Sequence, residues 1–327
     1  MRLSFKKVMA TTLVATMTLS LVACGGSDKK SDSKNKTYKV GICQLVEHPA
    51  LDAATKGFKE ALKKKLGDKV KFDEQSAQGE SANCATIVNS FVSSQVDLIL
   101  ANATAPLQAA ANATGDIPIL GTSVTDYATA LAMKDFKGTT GINVSGTSDL
   151  APLDEQADLL LEMFPDAKTV GMLYCSGEPN SKFQVEKVAE YLKEKKVECK
   201  DYSFTDSNDI AAVVQNAVKK CDVIYIPTDN TAASNTNVID SIARPAGVPI
   251  IAGEEGICKG CGVATLSISY YDIGYESGEM AYDILVNGND IKKMEIKYAP
   301  KVTKKYNKEI ADKLKIEVPE GYEEIGE

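Results

Sequence analysis

Polar side chains collect directly after the predicted strands of this chain, where they could bind a small ligand. In parallel α/β sheets, ligands bind at the carboxyl ends of the strands, where loops and helix N-termini meet. In the first half of the chain these positions carry mainly hydroxyl, amide and imidazole groups, from Gln44, Glu47, His48, Pro49, Thr104, Ser123, Thr125 and Asp126. In the second half they carry carboxylates and amides, from Glu178, Asn180, Asp229, Asn230 and Glu254.

This asymmetry predicts a zwitterionic ligand held between the two halves of the chain. Hydroxyls and helix N-terminal amides of the first half would bind a carboxylate, while Asp229 or Glu254 would pair with an ammonium group. The alternative is that these residues only cap helices, because Ser, Thr, Asp and Asn favour that position.

Residues that could support catalysis are sparse. His48 is the only histidine, and the chain has no GxSxG, Walker or GxGxxG motif. Cys258 and Cys261 have metal-ligand or redox spacing, but no second cysteine pair or histidine cluster accompanies them, which favours a loop disulfide or free thiols. We therefore predict a protein that is not an enzyme and that uses no cofactor and no metal.

The elements that must position these side chains alternate between short β-rich runs and amphipathic helices, which predicts parallel sheets covered by helices. Two βαβαβ series are separated near residues 143–150, and a helix at 273–286 should return to the first series. The chain from residue 293 should then cross to the second series. This pattern predicts an α/β fold of two Rossmann-like lobes joined by a hinge of three crossovers. The predicted boundaries are 38–143 plus 268–292 for lobe 1 and 144–267 plus 293–327 for lobe 2.

The N-terminal segment has the features of a lipoprotein export signal. Positive residues precede an uncharged apolar stretch at 8–22, and Leu21-Val22-Ala23-Cys24 has the form of a bacterial lipobox. We predict a signal peptide at 1–23, a diacylglycerol group on Cys24 and a flexible polar tether at 24–37. The alternative is an ordinary signal peptide with an incidental cysteine.

Several segments form a recognisable pattern over residues 38–286. They are GICQLVEHPALDAATKGF (41–58), SVTDY (123–127), NVSGTSDL (143–150), the Glu178-Pro-Asn180-Ser181 turn, PTDN (227–230) and AGEE (252–255). In this combination the chain resembles the tryptophan/tyrosine-type substrate-binding lipoproteins of ABC importers. The resemblance implies the type I periplasmic-binding fold and an amino acid ligand, aromatic in the better-known members.

The same resemblance implies roles for individual residues. The ligand carboxylate would be held by Thr104, Ser123 and Thr125. The amine would be bound by Asp229, with support from Glu254 or Asn230. The side chain would be lined by Gln44, Glu47, His48 and Pro49 and closed off by Tyr271. Ser145 belongs to a matching segment and joins the predicted site.

We therefore predict an extracytoplasmic, monomeric, lipid-anchored receptor that delivers an amino acid to ABC permease and ATPase subunits. Two alternatives remain: the same fold with a sugar, nucleoside or other small metabolite as ligand, and a sensory or partner-binding lipoprotein. The absence of Trp weakens the sugar alternative, because sugar pockets usually stack flat aromatic rings on the ligand. A net charge of −8 without a basic cluster argues against a nucleic-acid partner.

Overall fold

The computed structural model describes residues 36–326. The predicted signal peptide at 1–23, the predicted lipidation site Cys24 and all but the last two residues of the tether at 24–37 lie outside the described residues. Within the described range, no helix combines the length and apolar character needed to cross a membrane. The chain from Thr37 onward forms one structural unit.

Strands and helices alternate along the described chain. The strands are β1 (Tyr38–Gln44), β2 (Val70–Ser76), β3 (Leu98–Asn102), β4 (Ile119–Val124), β5 (Val144–Ser148), β6 (Thr169–Cys175), β7 (Glu198–Phe204), β8 (Val223–Ile226), β9 (Ile250–Ala252), β10 (Ala264–Ser267), β11 (Lys297–Tyr298), β12 (Thr303–Tyr306) and β13 (Glu323–Glu324). The helices are α1 (Pro49–Leu66), α2 (Ser81–Ser93), α3 (Thr104–Ala113), α4 (Tyr127–Ala130), α5 (Leu153–Met163), α6 (Pro179–Glu194), α7 (Ile210–Ala217), α8 (Asn230–Ala233), α9 (Thr236–Ala243), α10 (Glu255–Cys261), α11 (Tyr270–Leu285) and α12 (Lys308–Leu314).

The strands form two sheets, one in each lobe. The first sheet has the order β11-β5-β4-β3-β1-β2, and all of its pairs are parallel. The second has the order β13-β12-β10-β9-β8-β6-β7, in which β12 runs antiparallel to β10 and the other pairs are parallel. β3 and β4 are buried along their whole length and begin with apolar residues, as expected for parallel strands covered on both faces. The predicted α/β fold of two parallel-sheet lobes is confirmed.

The chain passes between the two lobes three times, at residues 149–152, 268–269 and 299–302. The first crossover leads from β5 to α5, the second from β10 to α11, and the third from β11 to β12. Ala151, Ile268 and Tyr270 from these connections pack together with Ala50 and Ala54 of α1. The hinge therefore has a small apolar core of its own, and that core adjoins the start of α1.

Two segments pair with a different sheet from the one that the predicted boundaries imply. The predicted boundaries put β5 and β11 in lobe 2, yet both strands lie in the first sheet, and the chain crosses to the second lobe only after β11. β5 is polar (VSGTS), and its hydroxyls are satisfied inside the protein: Thr147 contacts Thr122 and Ser277, and Ser145 donates to the Met294 carbonyl. A polar strand of this kind lacks the apolar pattern by which strands are found in sequence.

Helices α1 and α11 pack unusually closely, and this packing fixes α11 on the first lobe. A Cβ atom at Gly274 would lie 2.0 Å from the Ala54 carbonyl oxygen, and one at Gly57 would lie 2.2 Å from the Tyr271 carbonyl oxygen. Only glycine permits this approach of the two backbones, because any side chain would push the helices apart. The close contact anchors the start of α11, which is where the second crossover ends.

Candidate functional site

A small enclosed space of about 10 Å³ lies between the lobes, at the carboxyl ends of the strands. That volume is roughly the room that one water molecule needs. Its walls come from both lobes and from the hinge: His48, Leu51, Ser123, Asp149, Asn180, Thr228, Asp229, Asn230, Ala233, Glu254 and Tyr270. None of the described residues on these walls is Lys or Arg. The ionisable groups around the space are therefore carboxyls, one imidazole and one phenol.

The first lobe contributes His48 and Ser123 through two unusual backbone features. His48 precedes Pro49, the first residue of α1, and its side chain makes no capping hydrogen bond, so that the imidazole is free to face the other lobe. Ser123 has a φ of 54°, in the left-handed region that non-glycine residues rarely adopt. A register shift of β4 against β5 lies at the same point, between Gly121 and Val124. Such irregularities redirect a side chain at a strand end and are common at functional sites.

The second lobe contributes two buried carboxyls that both cap helices. Asp229 accepts hydrogen bonds from the backbone N–H groups of Ala232 and Cys175, each at 2.7 Å. Glu254 accepts from the backbone N–H groups of Gly256 and Ile257 at the start of α10. Each carboxylate oxygen of both residues is therefore engaged with the protein backbone. Burial, with the nearby charge of Glu178, raises the pKa of Asp229 to about 8. Burial also raises the pKa of Glu254 to about 7.

The hydrogen bonds around Asn230 establish which nitrogen of His48 carries the proton. Asn230 donates its amide Nδ2 to Glu178 at 2.7 Å, which turns its Oδ1 toward His48 Nε2 at 3.3 Å. Because Oδ1 can only accept, Nε2 must be the donor. Burial lowers the pKa of His48, so the ring is neutral near pH 7. A neutral ring that carries its proton on Nε2 presents Nδ1 as an acceptor.

The hinge contributes Asp149 and Tyr270, which are hydrogen-bonded to each other. The Tyr270 hydroxyl donates to Asp149 Oδ2 at 2.9 Å, and only 4% of Asp149 and 7% of Tyr270 is exposed. Burial raises the pKa of Asp149, while the hydroxyls of Tyr270 and Thr125 act in the opposite direction. Asp149 lies on the first crossover and Tyr270 directly follows the second, so this pair joins two hinge connections.

Three buried polar atoms on these walls have no hydrogen-bond partner: His48 Nδ1, Ser123 Oγ and Asp149 Oδ1. A buried polar group without a partner is costly, at about 1–3 kcal/mol each. Two of the three atoms are acceptors, and the third is a hydroxyl that can donate. This set is complementary to a ligand that brings several N–H donors close to one acceptor, as the ammonium and carboxylate of an amino acid do.

Direct hydrogen bonds hold the two lobes together at this point. Besides the contact of His48 with Asn230, the hydroxyls of Thr125 and Thr228 lie 3.3 Å apart across the cleft. Open grooves of about 430 Å³ and about 680 Å³ adjoin the enclosed space, and the first shares Asn180 and Asn230 with it. The enclosed space alone is too small for an amino acid, since small-molecule pockets usually measure about 300–1,000 Å³. Binding of such a ligand therefore requires a wider separation of the lobes.

Six of the residues predicted as site residues border the enclosed space: His48, Ser123, Asn180, Asp229, Asn230 and Glu254. Thr125 lies beside them through its contact with Thr228. Glu178 stands one layer further out, where it accepts four hydrogen bonds from Asn230 and Thr231. Asp126, Asp229 and Glu254 each cap a helix by accepting a backbone N–H at its start.

The other predicted residues lie elsewhere. Tyr271 donates its hydroxyl to Glu60 of α1, and together with Pro49 it lines the open groove of about 680 Å³ rather than the enclosed space. Ser145 is buried inside the first lobe. Gln44 bonds to Asp52 and Thr55 within the first lobe. Glu47 and Pro49 are exposed, and Thr104 is buried at the start of α3, apart from the enclosed space.

Sequence reasoning missed Asp149 and Tyr270, although a signal for Tyr270 was present. Ser269 caps α11 by accepting the Asp272 N–H, and a serine three residues before an acidic residue is typical of a helix start. From that start, the helical period places Tyr270 on the buried face, together with Ile273 and Gly274. Asp149 is the penultimate residue of the segment NVSGTSDL, which the sequence pattern indicated as a boundary between the two series rather than as a strand.

Comparison with known proteins gives a consistent picture. The family model for ABC transporter substrate binding proteins matches residues 39–323. A tyrosine-binding protein of Clostridioides difficile (strain R20291) is 39% identical over 292 residues, which cover 86% of this chain and 84% of that protein. An ABC domain from Streptococcus pneumonia in complex with L-Trp is 31% identical, with a TM-score of 0.84 over 89% of this chain and 100% of that one.

A third relative bears on the arrangement of the lobes. It is the ligand-free, open structure of a Clostridium difficile substrate binding protein with adhesive properties, which covers 88% of this chain and 99% of its own. This protein is 38% identical but has a TM-score of only 0.68. The lower score despite the higher identity, together with the hydrogen bonds across the cleft, indicates a closed arrangement of the lobes here. The chain belongs to the ABC transporter substrate-binding protein family, whose members work outside the cytoplasm and are not enzymes.

Proposed function

We propose that this protein captures an aromatic amino acid between its lobes and delivers it to the permease of an ABC importer. The observation that carries the proposal is the set of three buried, unpartnered atoms at the cleft, two of them acceptors and one a hydroxyl. An ammonium group supplies the donors that such acceptors need, and the ligand carboxylate would accept from the Ser123 hydroxyl. The aromatic side chain is inferred from the tyrosine-binding relative and from the relative in complex with L-Trp.

Lobe closure is the signal that the permease would read. The two hydrogen bonds across the cleft, at His48 and Thr125, exist only while the lobes are together. A ligand with contacts on both lobes and on the hinge would favour approach of the lobes over the fully open state by its differential affinity, at the wider separation that the volume of the ligand requires. We further propose that a diacylglycerol group on Cys24 anchors the receptor beside its transporter, with residues 24–37 as a tether.

The test uses the absence of tryptophan from the chain. The protein from Thr37 onward is purified without added ligand and denatured, and the released small molecules are identified by mass spectrometry and indole fluorescence. An aromatic amino acid in stoichiometric amount supports the proposal. If no ligand co-purifies, thermal unfolding is repeated with each of the twenty amino acids, because a ligand that binds only the folded state raises its stability.

The other outcomes separate the alternatives. Release of a sugar, nucleoside or other metabolite would support the function as a solute receptor and would contradict the proposed amino acid specificity. A protein that releases nothing and that no amino acid stabilises contradicts the proposal and favours a sensory or partner-binding role. Small-angle scattering with and without saturating ligand then tests closure, because a rotation of the lobes changes the radius of gyration.

A further inference from the structure

Three carboxyl groups reach the enclosed space, and they differ in how many of their oxygens the protein already uses. Asp229 and Glu254 each place both oxygens on backbone N–H groups. Asp149 uses Oδ2 for the Tyr270 hydroxyl, while its Oδ1 is buried without a hydrogen-bond partner. Asp149 is therefore the one of these three carboxyls with an oxygen that has no hydrogen-bond partner among the described residues, although the Thr125 hydroxyl lies near enough to favour its ionised form.

The surroundings of Asp149 hold its carboxyl in one orientation. Tyr270 is the first residue of α11, and the close contact of Gly274 with Ala54 fixes this helix against α1. The phenol hydroxyl therefore comes from a rigid element and fixes Oδ2, which leaves Oδ1 toward the cleft. His48, whose Nδ1 is the other unpartnered acceptor, lines the same space from the first lobe. An ammonium group has three N–H donors, enough for both atoms.

We propose that Asp149, rather than Asp229, binds the ligand's ammonium group, and that Tyr270 is the residue that positions the Asp149 carboxylate. The inference rests on the proposed amino acid ligand and names the residue that selects for its amine. Because the pair connects the first and second crossovers, an ammonium bound there also contacts the residues that link two hinge connections. Asp229 and Glu254 then serve chiefly to build the wall of the second lobe.

The experiment compares each amino acid with the same molecule lacking its amine. Calorimetry measures the affinity for L-tyrosine against 3-(4-hydroxyphenyl)propionate and for L-tryptophan against indole-3-propionate. In the Asp149→Asn variant the preference for the amino acid should fall about 30-fold or more, as expected when one partner of a buried charge pair is removed. The affinity for the amine-free analogue should stay within about threefold. Asp229→Asn should reduce the preference less, and Asp126→Asn, which only caps α4, is the matched control.

Tyr270→Phe tests the positioning role and covers the case in which Asp149→Asn does not fold. Loss of the phenol removes a hydrogen bond that favours the ionised carboxyl, so the preference for the amine should fall roughly 3- to 10-fold near neutral pH and recover at higher pH. If Tyr270 had a purely structural role, the variant would bind the amino acid and its amine-free analogue more weakly to the same extent. The pH at which the preference for the amine appears would then be unchanged. Unfolding curves of each variant confirm that it is folded.

The possible failures are distinguishable. If the wild type binds the amino acids and their amine-free analogues equally, no ammonium contact exists, and both this inference and the amino acid specificity are overturned. If the wild type prefers the amino acid and Asp149→Asn keeps that preference while Asp229→Asn loses it, the proposed function stands and Asp149 is the wrong residue.

Discussion

The second-lobe wall and the hinge wall of the cleft both carry buried carboxyl groups, but the hydrogen bonding of these carboxyls differs. Asp229 and Glu254 are buried carboxyls whose oxygens are used by helix N-termini of their own lobe. Asp149 is a buried carboxyl with one oxygen on Tyr270 and the other without a partner. A carboxylate at a strand end is therefore not by itself a ligand group. A capping carboxyl differs from a carboxyl that could bind ligand in that backbone N–H groups already occupy both of its oxygens.

The largest expected effect tests the capping side of this comparison. Asp229→Ala leaves the buried N–H groups of Cys175 and Ala232 without an acceptor, which should lower the free energy of unfolding by about 2–4 kcal/mol. Urea denaturation of the ligand-free protein at pH 7 measures it. Asp126→Ala removes a single capping bond at a half-buried position and should cost about 1 kcal/mol or less. Equal, small losses in both variants would show that Asp229 does not support its lobe.

A smaller effect concerns the pH dependence of stability. The folded protein keeps protons on Asp229 up to about pH 8 and on Glu254 up to about pH 7, whereas unfolded carboxyls release theirs near pH 4. Because the folded state binds more protons in this window, the stability should fall as pH rises from about 5 to 8, on the order of 1 kcal/mol per pH unit for each carboxyl that is still protonated, and then level off.

The control for this prediction is Asp229→Asn, which cannot ionise. His48 has a lowered pKa and acts in the opposite direction below about pH 6.5, but it is present in both proteins and cancels in the difference. Unfolding free energies between pH 6.5 and 8 should decline less steeply in the variant. A flat profile for the wild type would mean that water reaches both carboxyls, as in an open cleft.

The fold was largely predictable from the sequence, because it depends on repeated patterns. Apolar strands such as β3 and β4 and the amphipathic helices between them determined two parallel sheets and a hinge with three crossovers. β5 was not predicted as a strand, because a strand rich in Ser, Thr and Gly has no apolar pattern. It is recognisable only by the hydrogen-bond partners of its hydroxyls in the folded protein.

The sequence predicted which side chains would come together at the candidate site, but not the hydrogen bonds that each of them makes. The strand-end rule located His48, Ser123, Asp229 and Glu254 on the walls of the enclosed space. It could not show which acceptors the backbone would use, because Cys175 N–H reaches Asp229 from a strand 54 positions away in the sequence. The roles of Asp149 and Tyr270 depend likewise on two crossovers that meet only in the folded chain.

The smallest expected effect concerns the adjacent pair Tyr270 and Tyr271. Tyr271→Phe removes only an exposed hydrogen bond to Glu60, so it should change stability by no more than about 0.5 kcal/mol and ligand affinity by less than about twofold. Tyr270→Phe removes a buried hydrogen bond to Asp149 and should weaken the preference for the amine. Calorimetry with L-tyrosine on the two variants makes the comparison, since both lose one phenol oxygen from the same turn of α11. A loss of affinity in Tyr271→Phe as large as in Tyr270→Phe would mean that both rings reach the ligand, and that the assignment of a single inward tyrosine is wrong.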